Sequence, residues 1–162
     1  GLESSGLHTN GYTLARKIVF DTMGLQVKDE FPGEDRSVGE VLLDVHTSYL
    51  KDIEGLLAED LLNGLAHITG GGIEGNLPRI FPNGIGAKID TTSWEVPNVF
   101  KVLEDGGNVA DREMYRVFNM GIGMILAVQE DDVARVLAVL KEGQSDCRII
   151  GRVETGEGVR LE

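Results

Sequence analysis

Three short segments of the chain carry residue types that could hold a charged ligand. In the first, residues 6–12, His8, Thr9 and Asn10 precede a predicted helix start at Gly11. A helix start has unpaired N–H groups and a partial positive charge, so it can bind a phosphate or a carboxylate. The alternative is structural: Thr9 or Asn10 caps the helix, and His8 lies at the surface.

The second segment is a strand end followed by three glycines, His67-Ile68-Thr69-Gly70-Gly71-Gly72. Consecutive glycines permit positive φ angles and a close approach of a ligand, and their N–H groups can form an anion-binding nest. The segment is not a P-loop, because no Lys-Ser/Thr pair follows the glycines. The alternative is a tight strand-to-helix turn in which His67 is packed and hydrogen-bonded.

The third segment is Phe118-Asn119-Met120-Gly121-Ile122-Gly123-Met124, an apolar run with two glycines. Glycines inside a strand mark a bulge or a close backbone approach. Asn119 would stand at the start of that strand, where its amide could hydrogen-bond a ligand. The alternative is that the glycines make room for a packed helix.

The remaining reactive residue types predict neither a metal centre nor a nucleophile. The chain has three His and one Cys, and their spacing matches no metal-ligand pattern. His46 falls on a predicted helix face, where a solvated or partly buried imidazole is expected. Cys147 has no neighbouring His or Lys to lower its pKa, so a packed or surface thiol is expected.

The elements that must position these segments alternate between helices and strands. Apolar residues at helical spacing predict a helix over 11–23, and Ser37 with Glu40 fits a capping box before a short helix. β-branched and apolar runs predict the strands 49–53, 64–69, 85–89, 120–128 and 148–153, and further helices are predicted around 56–62, 73–80, 97–105, 111–118 and 131–141. This alternation indicates a single α/β or α+β layered domain over residues 1–162.

The composition limits the class of protein. The 162 residues include 15 Lys+Arg and 27 Asp+Glu, a formal charge of −12, and 41% are hydrophobic. Such apolar content excludes intrinsic disorder, and no apolar run reaches the roughly 18 residues of a membrane span. The negative charge argues against nucleic-acid and anionic-membrane partners. A single Cys suits a reducing compartment, so we expect a cytoplasmic protein.

The order of the motifs resembles one known family. Together they are similar to the C-terminal half of the aminoimidazole ribonucleotide synthetase family, over essentially all of residues 1–162. The motifs that carry the resemblance are, in chain order, Gly6-Leu7-His8-Thr9-Asn10-Gly11-Tyr12, His67-Ile68-Thr69-Gly70-Gly71-Gly72, Asn76-Leu77-Pro78-Arg79, Ser93-Trp94 and Glu113-Met114-Tyr115-Arg116-Val117-Phe118-Asn119-Met120-Gly121-Ile122-Gly123-Met124.

The resemblance implies a three-layer α/β/α domain with a mixed sheet, part of an ATP-dependent cyclo-ligase of purine biosynthesis. In that family ATP phosphorylates the amide oxygen of formylglycinamidine ribonucleotide. An amidine nitrogen then attacks the same carbon, phosphate leaves, and the imidazole ring closes. ATP and Mg²⁺ would bind mainly to an N-terminal domain absent from this sequence, which would also form a homodimer. The start at Gly1 fits a domain cut from a longer chain, and the chain alone is expected to be inactive.

Carried over residue by residue, the resemblance assigns His8 and His67 as catalytic histidines. One would orient or protonate substrate oxygens and the other would steady the phosphate or leaving group. Substrate or phosphate binding is assigned to Thr9, Asn10, Gly11, Thr69, Gly70, Gly71, Gly72, Asn119 and Gly121, and no metal ligand is assigned. In the segment 42–51, Val45 and Thr47 stand where the family commonly has Pro and Arg, which weakens any phosphate-binding role there.

Two other functions stay open at this point. The chain could be a stand-alone domain of this fold that binds a nucleotide or a partner without turnover. It could also belong to another ATP-dependent enzyme of the same superfamily that acts on a different amide or acid. An acidic, Mg²⁺-binding domain encoded upstream of Gly1 would favour the cyclo-ligase.

Overall fold

The computed structural model describes residues 1–162, which form six strands and seven α-helices. The strands are β1 (Leu2–Glu3), β2 (Gly64–His67), β3 (Ile85–Ile89), β4 (Ile122–Ala127), β5 (Gly151–Thr155) and β6 (Gly158–Leu161). The helices are α1 (Tyr12–Arg16), α2 (Val38–Leu42), α3 (Leu50–Ala58), α4 (Gly72–Asn76), α5 (Asn98–Gly107), α6 (Asp111–Val117) and α7 (Val133–Glu142). A π-helix (Lys17–Thr22) continues α1, and 3₁₀ turns cover Leu77–Ile80, Thr91–Ser93 and Glu130–Asp132.

The helix starts depend on short-range chemistry that the sequence partly reveals. The predicted capping box is confirmed: the Glu40 N–H donates to Ser37 Oγ, and the Ser37 N–H donates to the Glu40 carboxylate at 2.9 Å. The strand predicted over 49–53 is wrong, because α3 begins at Leu50. Tyr49, Ile53 and Leu56 lie at helical spacing and pack in one hydrophobic cluster, so one amphipathic helix replaces a strand and a helix.

The strands form two three-stranded sheets. In the first sheet, β4 lies between β1 and β2 and runs antiparallel to both. In the second sheet, β3 lies between β5 and β6, antiparallel to β5 and parallel to β6. The α/β class is confirmed, and the mixed pairing occurs in the second sheet. The strand predicted over 148–153 begins later, at Gly151, and β6 follows it, which the sequence did not predict.

The hydrophobic core divides into two clusters. The larger one has 25 buried residues, with the aromatic side chains Phe31, Trp94, Phe100 and Phe118 among them. Full burial of such side chains stabilises the fold by on the order of 1.5–3 kcal/mol each. The smaller cluster joins α3 and α7 to the first sheet and consists of Leu2, Tyr49, Leu56, Val136 and Leu140. No helix has the length and apolar content that crossing a membrane requires.

The topology of the first sheet brings the three motif segments to one edge. Because β1 and β2 both run antiparallel to β4, the ends of β1 and β2 lie beside the start of β4. His67, the last residue of β2, is opposite Met124 of β4. The segments 4–12, 67–72 and 118–121 therefore meet at this edge.

Candidate functional site

His8 lies buried beneath this edge, with 2% of its surface exposed. Its Nε2 accepts hydrogen bonds from the backbone N–H groups of Ser5 (3.0 Å) and Thr47 (3.3 Å). Since a backbone N–H can only donate, Nε2 is unprotonated and the neutral ring carries its proton on Nδ1. Nδ1 has no hydrogen-bond partner.

The surroundings of His8 keep its ring neutral. Burial, followed by the charges of His46 and His67, lowers the pKa of His8 to about 4. At neutral pH His8 is therefore uncharged, and its accepting nitrogen is occupied. Its backbone φ of 50° lies in the left-handed region, as does that of Thr9 at 63°. Each such residue costs on the order of 1–2 kcal/mol, so the surrounding contacts must hold the turn in place.

Thr9 and Asn10 hold that turn instead of capping α1. Thr9 Oγ1 and Asn10 Nδ2 both donate to the His8 carbonyl oxygen, at 2.6 and 2.8 Å. The N-cap is Gly11, with a left-handed φ of 68° and no side-chain cap, so the predicted capping by Thr9 or Asn10 is wrong. A Cβ on Gly11 would overlap the ring of Phe118, which explains why glycine stands there.

His67 is exposed at the end of β2, and its partner is a residue that the sequence did not single out. The Nε2 atoms of His67 and His46 lie 3.2 Å apart. Burial and then the charge of His46 lower the pKa of His67. The structural alternative for this segment described His67 as packed and hydrogen-bonded. The side chain is hydrogen-bonded, but it is exposed to solvent and not packed.

His46 lies in the loop between α2 and α3, not on the helix face predicted for it. Its ring stacks on that of His8, with centroids 4.0 Å apart and an interplanar angle of 18°. The sequence could not reveal this position, because it results from how the loop folds across the sheet edge. The only unusual feature of the sequence near His46 was that Val45 and Thr47 replace the Pro and Arg common in the family.

The glycine turn after His67 has the positive φ angles expected of it, at Gly71 (101°) and Gly72 (61°). Its N–H groups, however, are already used inside the fold. Those of Gly71 and Gly72 donate to the carbonyl oxygens of Arg116 and Thr69, at 3.1 and 3.0 Å. The N–H of exposed Gly70 donates to Asn10 Oδ1 at 3.2 Å. Only the Gly70 N–H, whose acceptor is a side-chain oxygen, can exchange its hydrogen bond for one to a ligand without opening the turn.

A buried amide fastens this turn. Asn76, 4% exposed, donates from Nδ2 to the carbonyl oxygens of Gly72 (2.7 Å) and Thr69 (3.2 Å). The Thr69 hydroxyl in turn donates to Asn76 Oδ1 at 3.0 Å. Asn76 was not among the predicted site residues. Its sequence signal was the motif Asn76-Leu77-Pro78-Arg79, which contributed to the family resemblance but received no role.

Asn119 and Gly121 support the edge from beneath. Asn119 is fully buried, accepts from Ser4 Oγ and the Gly121 N–H, and donates to the Gly6 carbonyl oxygen, each at 2.8 Å. It thus ties the first segment to the start of β4, and it offers no exposed atom to a ligand. A Cβ on Gly121 would lie 2.6 Å from Pro97 Cδ, so this glycine permits close packing.

Gly123 makes room for the histidine itself. A Cβ at this position would lie 2.9 Å from His8 Cε1 and would overlap the Tyr49 hydroxyl. The glycines were predicted to allow another part of the chain to pack closely against the strand, and Gly123 does so. The groups that pack there are the side chains of His8 and Tyr49, not a helix.

Residues 1–162 match the family model described as AIR synthase related protein, C-terminal domain. The chain belongs to this family. The phosphoribosylformylglycinamidine cyclo-ligase of Geobacter metallireducens is 52% identical over 153 residues, which cover 94% of this chain and 44% of that protein. The cyclo-ligase of Oceanobacillus iheyensis is 44% identical over 161 residues, 99% of this chain and 47% of that protein. The chain therefore spans less than half the length of these relatives.

Solved structures share the fold of this AIR synthase related domain at lower identity. Thiamine-monophosphate kinase from Stenotrophomonas maltophilia matches with a TM-score of 0.62 and 15% identity, covering 99% of this chain and 48% of that one. HypE from E. coli matches with a TM-score of 0.59 and 21% identity, covering 99% and 45%. At these identities the likeness shows the fold alone.

The three histidines also form the one grouping that resembles a metal site, which their spacing did not predict. One ring nitrogen of each lies within 4.8 Å of the others. His8 could ligate through Nε2 only by losing the bonds from Ser5 and Thr47. Ligation through Nδ1, the nitrogen without a partner, would move the ring proton to Nε2, where it would face the same two N–H donors. Only His46 and His67 remain as ligands, whereas zinc sites in proteins use at least three protein ligands. The geometry therefore favours hydrogen bonding among the rings over metal binding.

Proposed function

We propose that this chain is the C-terminal part of an ATP-dependent cyclo-ligase that converts formylglycinamidine ribonucleotide to aminoimidazole ribonucleotide in de novo purine biosynthesis. The observation that carries the proposal is the 52% and 44% identity to proteins named phosphoribosylformylglycinamidine cyclo-ligase, across 94% and 99% of this chain. The meeting of two motif histidines at one sheet edge agrees with it.

In this proposal His67 works at the reacting atoms. ATP transfers its γ-phosphoryl group to the amide oxygen, an amidine nitrogen forms the new C–N bond, and the C–O bond to the phosphate breaks. The attacking nitrogen must lose a proton and the leaving phosphate can take one. The exposed imidazole of His67, mostly neutral at pH 7 because its pKa is lowered, suits such transfers.

The remaining site residues would orient the substrate. The Gly70 N–H, with Asn10 beside it, is the part of the turn placed to meet a phosphate oxygen. Thr9, exposed on the same segment, is the second candidate. His8 would hold the edge in shape rather than touch substrate. ATP and Mg²⁺ would be bound mainly by an N-terminal domain, which would also form a homodimer, and the enzyme would work in the cytoplasm.

The test is ring closure measured in the complete protein and in this chain alone. The complete protein should form aminoimidazole ribonucleotide with stoichiometric ATP hydrolysis, and the chain alone should form none. His67→Ala should lower kcat at least about tenfold, because a positioned proton-transfer group typically contributes about a hundredfold or more. Lys101→Ala, on the exposed side of α5, is the matched control and should leave kcat unchanged. Absence of ring closure by the complete protein would overturn the proposal.

A further inference from the structure

We propose that His46 and His67 share a proton through their Nε2 atoms, and that this imidazole pair is the acid–base unit of the site. The catalytic part of this inference rests on the proposed function, whereas the pairing itself does not. His8 becomes a positioning residue in this view, and His46, which no motif marks, joins His67 as a functional side chain.

The pairing follows from the contact between the rings. At an Nε2···Nε2 distance of 3.2 Å, only one of the two atoms can carry a hydrogen. One imidazole donates and the other accepts. The ring centroids lie 5.2 Å apart with an interplanar angle of 53°, so the rings meet through their nitrogens and not by stacking.

The segment around His8 fixes His46 in this contact. The His46 ring rests on the His8 ring. Of the two residues that flank it, Thr47 donates its N–H to His8 Nε2, and Val45 accepts from Ser5 Oγ at 2.7 Å. The backbone on both sides of His46 is therefore tied to the first segment. This gives the buried, neutral His8 a role that does not require it to exchange protons.

The groups around the pair allow one of the two rings to become an imidazolium but disfavour a second imidazolium. Two imidazolium rings would lose the shared hydrogen bond and repel each other, and burial already lowers the pKa of His67. No carboxylate offsets this, because Asp44 is held through both oxygens by Arg36 at 2.7 and 2.9 Å. His8 is neutral, and burial raises the pKa of Tyr49, so its hydroxyl is neutral too. A singly charged pair, with its stronger charge-assisted bond, is therefore the only charged state that the contact favours.

A singly charged pair can deliver one proton without separating charge. His46 as imidazolium donates from Nε2 to neutral His67, which carries its hydrogen on Nδ1. When His67 gives that Nδ1 proton to the leaving phosphate oxygen, its Nε2 takes the proton of His46. Both rings end neutral, and one proton has moved to phosphate. The pair is restored when His67 Nδ1 takes a proton from solvent and the hydrogen between the rings returns to His46 Nε2.

The pairing is tested on this chain by ¹⁵N NMR of the imidazole nitrogens. The chain has only three His, so each ring is resolved. His46 and His67 should titrate in two shared steps, and His8 should stay in its Nδ1–H form from pH 8 to 5. In His46→Leu, His67 should titrate in a single step, with its pKa raised because the charge of His46 no longer lowers it. Leu43→Ala, an exposed change at the start of the same loop, should leave both steps in place.

Two results would overturn the pairing. One is independent single-step titration of His46 and His67 in the unmodified chain, with His67 unaffected by His46→Leu. The other is stoichiometric, micromolar Zn²⁺ binding that shifts all three rings and is lost in His46→Leu, since this would show a metal centre in place of a proton pair.

The catalytic role is tested separately in the complete protein. His46→Leu should lower kcat about tenfold and shift the acidic limb of the pH profile of kcat/KM. His46→Gln, which can still donate to His67 but cannot be charged, should keep KM and show the same shift of that limb. If the unmodified protein closes the ring and both variants keep its kcat and pH profile, the acid–base role is wrong even where NMR shows the pair. If the unmodified protein closes no ring, the proposed function fails and NMR still decides the pairing.

Discussion

The two motif histidines occupy opposite environments although they lie at one sheet edge. His8 is 2% exposed, accepts two backbone hydrogen bonds and has a pKa lowered to about 4. His67 is exposed and meets another imidazole. The residue type is the same, but only His67 can bind and release protons at the surface. Membership of a motif thus indicates where a side chain lies, and its hydrogen-bond partners decide what it can do.

The backbones differ as well. The His8 segment contains two non-glycine residues with left-handed φ angles, held by side chains folded onto a single carbonyl oxygen. The His67 segment is a regular strand that ends in glycines. If the two histidines have the roles inferred for them, substitutions at His8 should mainly lower the free energy of unfolding. Substitutions at His67 should mainly lower activity.

The largest effect is expected at Gly72, beneath the His67 turn. A Cβ there would overlap the Tyr115 carbonyl oxygen, and the φ of Gly72, 61°, is unfavourable for alanine. Gly72→Ala should therefore lower the free energy of unfolding by about 4 kcal/mol. Gly75→Ala is the matched control, because its Cβ would meet no atom within 4 Å and its helical position favours alanine. It should stabilise the chain by about 0.5–1 kcal/mol in urea denaturation. Equal effects of the two changes would contradict the close packing of the turn.

The next effect directly compares the two histidines. His8→Ala leaves a buried cavity and two backbone N–H groups without an acceptor, so it should cost about 3 kcal/mol of unfolding free energy. His67→Ala, at an exposed position, should change that free energy by less than about 0.5 kcal/mol. Urea midpoints of both variants give the answer, and a larger loss for His67→Ala would reverse the roles assigned here.

A smaller effect is expected from pH. The pKa of His8 is lowered in the folded state, so between its ordinary value of 6.5 and about 4 the unfolded chain binds more protons. Stability from this group is therefore complete above pH 6.5 and decreases as pH falls. Between pH 7 and 5 the loss should be about 2 kcal/mol. His8→Gln, which keeps an acceptor but does not titrate, should lose less over the same range, and identical losses would exclude His8 as the cause.

The sequence predicted the parts of the fold that depend on local patterns. The capping box at Ser37 and the strand over 85–89 followed from residue types at fixed spacing. The family resemblance assigned His8 and His67 to one catalytic site, and their segments do meet at one end of the first sheet. It failed where tertiary contacts override such patterns: Thr9 and Asn10 could cap a helix, but the left-handed turn directs them to a carbonyl oxygen.

The site chemistry was less accessible for a related reason. The glycine run correctly indicated positive φ angles, which occur at Gly71 and Gly72. The N–H groups of Gly70 and Gly71, however, donate to Asn10 and to Arg116 of α6, which lie far away in the sequence. His46 joins the site through a loop that no periodicity describes. A hydrogen-bond network between distant segments has no signature in residue spacing, so its members appear only when the segments are placed together.

The second sheet has a consequence for the order of folding. The two residues 156–157 join β5 to β6, yet these strands do not pair, because β3 lies between them. Neighbouring strands with so short a connection form a hairpin within microseconds, whereas pairing with a strand far away in sequence is slow. We therefore expect β5 and β6 to meet first as a transient hairpin that must open to admit β3. Completing the second sheet would then require the insertion of β3, and a chain that kept the local hairpin would leave β3 as an unprotected edge open to other copies.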